Sequence, residues 1–136
     1  MVLMIDTNIL LDVLQLRVPH FEDSLTIWGL CDDEAVSGCV SAMSLVNISY
    51  VMRKELTPDR MQEIYMSLTS AFKIIDLRES DLETAAEMKW RDFEDAVISA
   101  VSERINADYI ITRNTKDFEN SKVEALTPAE YFMRRQ

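Results

Sequence analysis

The sequence has few of the residues that build phosphate-binding loops and the commonest metal and redox sites. It contains 2 glycines, 3 prolines, 2 cysteines and a single histidine among 136 residues. So few glycines exclude the usual glycine-rich nucleotide fingerprints. Cys31 and Cys39 lack C-x-x-C spacing, which argues against a zinc cluster and indicates reduced thiols of a cytoplasmic protein. We expect no membrane span and no secretory signal, because no long apolar run and no basic N-terminal segment are present.

Positive charge is also scarce. The chain has 14 basic and 24 acidic residues, which gives a net charge of −10. A general nucleic-acid-binding protein is usually basic, so this balance argues against that class. Divalent cations in an acidic site would invert the local field, and a basic protein partner would be attracted to such a surface. A metal-dependent enzyme and a protein-binding role therefore remain open.

Residues 1–136 are expected to form one domain, because no linker, repeat or low-complexity tract divides them. Short apolar runs predict strands over residues 2–5, 35–40, 72–75, 107–111 and 123–126. Helical patterns follow the first of these strands and recur over residues 20–31, 41–55, 57–69, 79–88, 92–105 and from 127 onward. Strands that alternate with helices predict an α/β fold, namely a three-layer α/β/α sandwich around a parallel sheet of about five strands.

A carboxylate directly follows the last residue of the first predicted strand. Asp6 follows the apolar run of residues 2–5, and a helical pattern begins directly after it. This order places Asp6 at the carboxyl edge of the sheet, where open α/β sheets bind ligands. Asp6 fits a helix N-cap equally well, as does Thr7. Asp12, one turn after Asn8, is expected to face solvent, and the alternative is that it borders the same site.

Three stretches in this order, MIDTN, RDFEDAVISA and DYIITRNTKDF, resemble the PIN domain. This is a family of metal-dependent ribonucleases, and many of its small bacterial members are toxins of VapBC-type toxin–antitoxin pairs. The resemblance extends from Met1 to about Phe118. It implies the strand order 3-2-1-4-5, an RNA substrate and a 5′-phosphate product. It also suggests a homodimer and an antitoxin whose C-terminal tail lies over the site.

Hydrolysis of a phosphodiester without a covalent intermediate needs an activated water and neutralised phosphate charge, and a pair of divalent metals supplies both. Mg²⁺ and Mn²⁺ prefer oxygen ligands, which suits a chain with many carboxylates and one histidine. The resemblance implies that Asp6 and Asp95 are catalytic and hold the metal. Asp117 and the amide oxygens of Asn47 and Asn114 are expected to complete the metal shell.

Two of these positions depart from the PIN pattern. Asn47 stands where PIN nucleases usually carry a glutamate on the third helix, and Asn114 stands where they often carry an aspartate. Two amides in place of two carboxylates predict a less negative site with a lower metal affinity. They leave a second interpretation open, a PIN-fold module that binds nucleic acid or protein with weak or no catalysis.

The other polar candidates each have a structural alternative. Thr7 and Asn8 could orient Asp6 or contact phosphate, or cap the helix. Arg113 and Lys116 could meet a phosphate or carry solvated surface charge. Asp92 fits a helix N-cap with Asp95 at the third helical position, and Asp117 fits a turn residue beside a buried Phe118. A dehalogenase-like phosphotransfer enzyme with Asp6 as nucleophile would need a second aspartate at position 8, where Asn8 stands.

Overall fold

The structure, a computed structural model, describes residues 1–135. Its elements in chain order are β1 Val2–Ile5, α1 Thr7–Leu14, α2 Phe21–Asp32, β2 Ser37–Ser41, α3 Ala42–Val51, α4 Pro58–Ala71, β3 Lys73–Ile75, α5 Glu79–Met88, α6 Phe93–Arg104, β4 Tyr109–Ile111, a 3₁₀ helix Thr115–Phe118, β5 Ala125–Leu126 and α7 Pro128–Arg135. Within this described range, every helix is too short or too polar to span a membrane.

The five strands form one parallel sheet in the order β3-β2-β1-β4-β5. This confirms the predicted fold class and strand order. The first strand lies at the centre, where Met4 pairs with Cys39 of β2 on one side and with Ile110 of β4 on the other. The carboxyl ends of β1 and β4 therefore meet at the same edge of the sheet.

Each face of the sheet has its own hydrophobic core. Successive residues of a strand point to opposite faces. Leu3 and Ile5 pack in a core with residues of α1, α2, α3, α4 and α7. Met4 packs on the other face with residues of α5 and α6. This arrangement is the predicted three-layer sandwich, with β1 buried on both sides.

Polar caps begin three helices where the sequence predicts them. The side chains of Ser41, Thr57 and Asp92 accept hydrogen bonds from backbone N–H groups of α3, α4 and α6. Several predicted strands begin earlier than the observed ones. Val36, Ala107 and Val123 are buried in the structure, but they precede the residues that pair in the sheet. In these places apolarity reflects burial in the core rather than strand pairing. The predicted third helix also ends sooner, at Val51 instead of residue 55.

Asp12 is fully buried, so the expectation that it faces solvent is wrong. Its Oδ2 atom accepts hydrogen bonds from Ser24 Oγ and from Arg113 Nε, both at 2.9 Å. Its Oδ1 atom is buried and has no hydrogen-bond partner within residues 1–135. A buried carboxylate is tolerated because a cation compensates it. This ion pair joins α1, α2 and the loop that follows β4.

Gly38 lies where β2 passes close to the helices that cover it. A Cβ atom at this position would stand 2.5 Å from Cys31 Sγ, 2.8 Å from Cys31 Cβ and 2.9 Å from Phe72 Cδ1. Gly29, the other glycine of the chain, lies inside α2, and a Cβ there would meet no atom within 4 Å. The two glycines therefore have different structural roles.

We expect Gly38→Ala to lower the free energy of unfolding by about 2 kcal/mol, because the added methyl group overpacks the core. Gly29→Ala is the matched control and should raise it by up to about 1 kcal/mol, because alanine has the higher helix propensity. Urea denaturation of both variants measures these changes. A Gly38→Ala protein as stable as the wild type would contradict the close approach of β2 and Cys31.

We expect Arg113→Gln to lower the free energy of unfolding by roughly 3 kcal/mol, because it leaves the Asp12 carboxylate buried without a compensating charge. Adding Asp12→Asn to this variant should recover part of the loss, which a double-mutant cycle measures. Arg60→Gln is the control, because Arg60 pairs with Glu63 on the surface at 3.1 Å and should contribute less than about 1 kcal/mol. Equal losses in the two arginine variants would overturn this account.

Candidate functional site

A pocket of about 400 Å³ opens at the carboxyl ends of β1 and β4. Eight of the ten site residues predicted from the sequence line it, namely Asp6, Thr7, Asn8, Asn47, Asp92, Asp95, Asn114 and Asp117. They come from four parts of the chain that are distant in sequence: the start of α1, α3, the start of α6 and the segment after β4. The fold therefore assembles these polar groups at one place. The other two, Arg113 and Lys116, lie outside this pocket.

Asp6 caps the first helix and also lines the pocket. It is the N-cap of α1, where its Oδ1 atom accepts a hydrogen bond from the Thr7 N–H at 2.8 Å. Its Oδ2 atom accepts hydrogen bonds from Thr112 Oγ1 at 2.8 Å and from Asn8 Nδ2 at 3.3 Å. Burial raises the pKa of Asp6, and the hydrogen bonds from Thr112 and Thr7 oppose this rise. The carboxylate is thus held in one orientation at the pocket wall.

Thr112 is a site residue that the sequence reasoning missed. It is fully buried, and its hydroxyl also accepts a hydrogen bond from Asn8 Nδ2 at 3.3 Å. The strand register contains the signal, because Ile5 pairs with Ile111 and the next residues, Asp6 and Thr112, are therefore neighbours. A polar residue directly after the apolar run of β4 could have been recognised once this pairing was assumed.

Three acidic residues occupy the cap and first turn of α6. The Asp92 side chain accepts a hydrogen bond from the Asp95 N–H at 3.2 Å, so Asp92 is the N-cap. Burial is the main cause that raises the pKa of Asp95 to about 7, and the carboxylates of Asp6, Asp92, Asp117 and Glu94 act in the same direction. Negative charges therefore crowd around Asp95, and a bound cation would relieve their repulsion.

Glu94 is the second residue that the sequence reasoning did not single out. Its Oε2 atom accepts a hydrogen bond from Asn47 Nδ2 at 3.3 Å, so α3 and α6 are connected across the pocket. An acidic residue in the first turn of a helix is explained by the helix dipole alone, so the sequence offered no separate signal. The contact brings a further carboxylate to the position of Asn47.

Asn114 and Asp117 lie on the segment that follows β4, and both side chains are exposed. Asn114 precedes the 3₁₀ helix, and its backbone N–H donates to Thr112 Oγ1 at 3.1 Å. Phe118 is buried in the core on the α6 side, as the turn interpretation of Asp117 expects. The buried phenyl ring fixes the turn, and Asp117 at the same time lines the pocket.

Arg113 and Lys116 have different surroundings from the other predicted site residues. The Nε atom of Arg113 is engaged in the buried ion pair with Asp12, which leads the side chain away from the pocket. Lys116 lines a neighbouring groove together with Asp117. Of these two predicted cations, Lys116 is therefore the one that lies beside the carboxylates.

The donor set is that of a hard divalent cation. Within residues 1–135, no three His, Cys, Asp or Glu side chains come close enough together to hold a metal ion. The pocket nevertheless offers carboxylate and amide oxygens, the ligands that Mg²⁺ and Mn²⁺ prefer. Burial and neighbouring carboxylates both raise the pKa of Asp95, and a cation would favour its charged form. The chemistry of these residues fits such a cation, held by few carboxylates.

Solved structures with the same fold include components of toxin–antitoxin systems. A chain in a toxin–antitoxin complex from Klebsiella pneumoniae is 25% identical, with a TM-score of 0.70 over 92% of this chain and 96% of its own. A chain of VapBC2 from Rickettsia felis, bound to a DNA fragment from its promoter, is 18% identical, with a TM-score of 0.71 over 93% of this chain and 98% of its own. VapC20, a sarcin-ricin loop cleaving toxin from Mycobacterium tuberculosis, is 13% identical, with a TM-score of 0.65 over 79% of this chain and 86% of its own.

The two structures below 25% identity show the fold alone. No curated protein sequence matches the chain significantly. The family model described as the PIN domain matches residues 2–116, which is most of the chain and includes every residue of the pocket except Asp117. The sheet order and the polar residues at the ends of β1 and β4 agree with this match. The chain belongs to the PIN domain family.

Proposed function

We propose that the protein is a Mg²⁺- or Mn²⁺-dependent endoribonuclease that hydrolyses RNA phosphodiesters, and that it is the toxin of a toxin–antitoxin pair. The observation that carries this proposal is the convergence of Asp6 and Asp95 in one pocket, where burial and, to a lesser extent, neighbouring carboxylates raise the pKa of Asp95 to about 7. Family membership supports a nuclease, and the similar chain in the Klebsiella toxin–antitoxin complex supports the toxin role.

Asp6 and Asp95 would hold the cation, and Asp117, Glu94 and the amides of Asn47 and Asn114 are further oxygen donors that line the same pocket. The bound cation supplies an activated water and positive charge against the phosphate. The chain itself contributes orientation, because Thr7, Asn8 and Thr112 fix both oxygens of Asp6 through hydrogen bonds.

A second candidate function is a PIN-fold module that binds nucleic acid or protein without efficient catalysis. The observation that favours it is the donor set, in which Asn47 and Asn114 stand in place of carboxylates and no three acidic side chains within residues 1–135 come close enough together to hold a metal ion. A net charge of −10 points the same way. The cleavage experiment below separates the two candidates.

We also propose that a protein partner covers the exposed side of α3. Val46 and Tyr50 are about two-thirds exposed, and Val51 is 44% exposed. Tyr50 and Val51 also line the acidic pocket. Adjacent apolar and acidic surfaces suit an interface with a basic partner such as an antitoxin, or with a second copy of the chain.

The buried free thiols of Cys31 and Cys39 suit the cytoplasmic setting in which we place this activity.

We expect Asp6→Asn and Asp95→Asn each to reduce Mn²⁺-dependent RNA cleavage by more than about 100-fold, because even indirect metal partners are worth about 10- to 100-fold. Calorimetry should show that both variants also lose Mn²⁺ binding. Asp32→Asn, which removes an exposed carboxylate at the end of α2, is the matched control and should behave like the wild type. A wild-type protein that binds no Mn²⁺ at millimolar levels and leaves RNA intact would favour the binding module.

A variant that adds carboxylates tests the same proposal in the opposite direction. Asn47→Glu combined with Asn114→Asp places acidic side chains where the family usually carries them. We expect its Mn²⁺ affinity to exceed that of the wild type, because charged oxygen ligands hold a divalent cation more tightly than amides. An unchanged affinity would show that these two positions do not reach the cation.

We expect the protein without metal to lose stability between about pH 4 and pH 7 through the ionisation of Asp95. The pKa of this carboxyl is about 7 in the folded protein, whereas in the unfolded chain it is about 3.9. The folded state retains the Asp95 proton to a higher pH than the unfolded chain does. The stabilisation that this proton provides is therefore complete below the unfolded pKa and is lost as pH rises through the folded pKa.

The measurement is the free energy of unfolding of the wild type and of Asp95→Asn at pH 5 and pH 8, by urea denaturation in EDTA. The difference between the two proteins should favour the variant at pH 8 more than at pH 5. Taking this difference cancels the titration of groups that the substitution does not touch. Asp32→Asn again serves as control. If the difference in free energy of unfolding between Asp95→Asn and the wild type is the same at both pH values, ionisation of Asp95 does not destabilise the folded protein and this account is wrong.

A further inference from the structure

The buried ion pair of Asp12 and Arg113 is poorly built for a purely stabilising role. Arg113 Nε donates to only one oxygen of Asp12, Oδ2, and the other oxygen is buried without a hydrogen-bond partner within residues 1–135. Taking two charges out of water costs much of the free energy that their attraction returns, although losing one partner alone is costly. A buried pair with an unsatisfied oxygen therefore adds little net stability to the fold.

A second buried pair, between Asp81 of α5 and Arg104 of α6, has the opposite construction. Arg104 Nε and Nη2 donate to the two oxygens of Asp81 at 2.8 and 2.9 Å. One of these oxygens also accepts the backbone N–H of Arg78 at 2.9 Å. Both oxygens of this carboxylate are thus satisfied, as in a pair that joins two helices firmly. The contrast indicates that the pair of Asp12 and Arg113 has another role.

Arg113 contacts α1 at two points that lie one turn apart. Asn8 and Asp12 are four residues apart on this helix and therefore lie on the same side of it. The backbone N–H of Arg113 donates to Asn8 Oδ1 at 3.4 Å, while its side chain donates to Asp12. Ser24 Oγ of α2 donates to the same oxygen of Asp12 at 2.9 Å. Asp12 therefore fixes the position of Arg113 relative to α1.

The contact with Arg113 determines which end of the Asn8 amide faces Asp6. A carboxamide has an acceptor oxygen and a donor NH₂ group. Because the oxygen of Asn8 accepts the Arg113 N–H, its Nδ2 atom is directed to Asp6 Oδ2 and to Thr112 Oγ1, both at 3.3 Å. Without this contact the amide could turn over and place its oxygen against the Asp6 carboxylate, where two acceptors repel each other. The orientation of Asp6 thus depends on the place of Arg113.

We propose that Arg113 is a positioning residue, which acts through Asn8 to orient the Asp6 carboxylate for the cation. Asp12, which Ser24 holds in turn, keeps Arg113 in place. The inference rests on the proposed nuclease function, because that function makes Asp6 a metal ligand. It gives a role to an arginine that points away from the pocket and to a buried carboxylate outside it.

The test variant replaces the ion pair and its hydroxyl partner with apolar side chains, as Asp12→Leu, Ser24→Ala, Arg113→Met. Because the buried polar side chains are removed together, none is left without a partner, and the midpoint of urea denaturation should equal or exceed that of the wild type. The Mn²⁺ affinity, measured by calorimetry, should fall about tenfold, and RNA cleavage should fall with it. Asp12→Asn, Arg113→Gln is a second variant that should change both in the same direction.

The NMR signals of the Asn8 side-chain NH₂ group, recorded without metal, separate positioning from stability. In the wild type this group is hydrogen-bonded to Asp6 and Thr112, so its two signals should differ from those of the exposed Asn106. In the test variant they should move toward the positions of the Asn106 signals, because the amide is no longer held from its oxygen end. This measurement depends on neither cation nor RNA.

Two controls have the opposite expectation. Asp81→Leu, Arg104→Met removes the other buried pair and leaves the Arg78 N–H without its acceptor, so the urea midpoint should fall. Gly38→Ala lowers stability through overpacking, as described above. Neither control should change the Asn8 signals or the Mn²⁺ affinity, because none of the substituted residues lines the pocket.

Three outcomes decide the matter. If the test variant keeps the wild-type Asn8 signals and Mn²⁺ affinity, the positioning inference is wrong. If a control variant changes these signals as much as the test variant does, they report only stability, and the inference is wrong as well. If the wild type binds Mn²⁺ without cleaving RNA, while the Asn8 signals and the Mn²⁺ affinity change in the test variant alone, the nuclease proposal fails and the positioning inference stands.

Discussion

The hydrogen bond from Thr112 Oγ1 to Asp6 Oδ2, at 2.8 Å, is the contact on which the arrangement of the site depends. It joins the ends of β1 and β4, the two neighbouring strands at the centre of the sheet. Thr112 also accepts the backbone N–H of Asn114, so the same hydroxyl sets the start of the segment that carries Asp117. The central position of β1, buried on both faces, makes this junction rigid.

The pocket concentrates negative charge that the fold itself does not neutralise. Burial and like charges raise the pKa of Asp95, whereas the buried Asp12 is compensated by Arg113. The two carboxylates therefore differ in their surroundings, because one is paired with a cation and the other lies among further carboxylates. The neutral amides at positions 47 and 114 add no further negative charge to this pocket.

Much of the fold and part of the site were predictable from sequence. Caps at Ser41, Thr57 and Asp92 are local signals, since a cap acts within three residues of itself. Asp6 and Asp95 were predictable because the motifs that contain them are short and contiguous. Strand limits were less predictable, because an apolar residue such as Val36 is buried without pairing. The burial of Asp12 was missed because nothing in the helical pattern reveals a cation 101 positions away.

The sequence by itself determined the alternation of strands and helices, the acidic groups at the end of β1 and the start of α6, and the scarcity of positive charge. Only the tertiary structure decided which partners these groups have. It brought three pairs of side chains into hydrogen-bond contact: Thr112 with Asp6, Asn47 with Glu94, and Arg113 with Asp12. The physical reason is that hydrogen bonds, ion pairs and pKa shifts depend on distances in space, which residues far apart in the chain acquire only when the sheet forms.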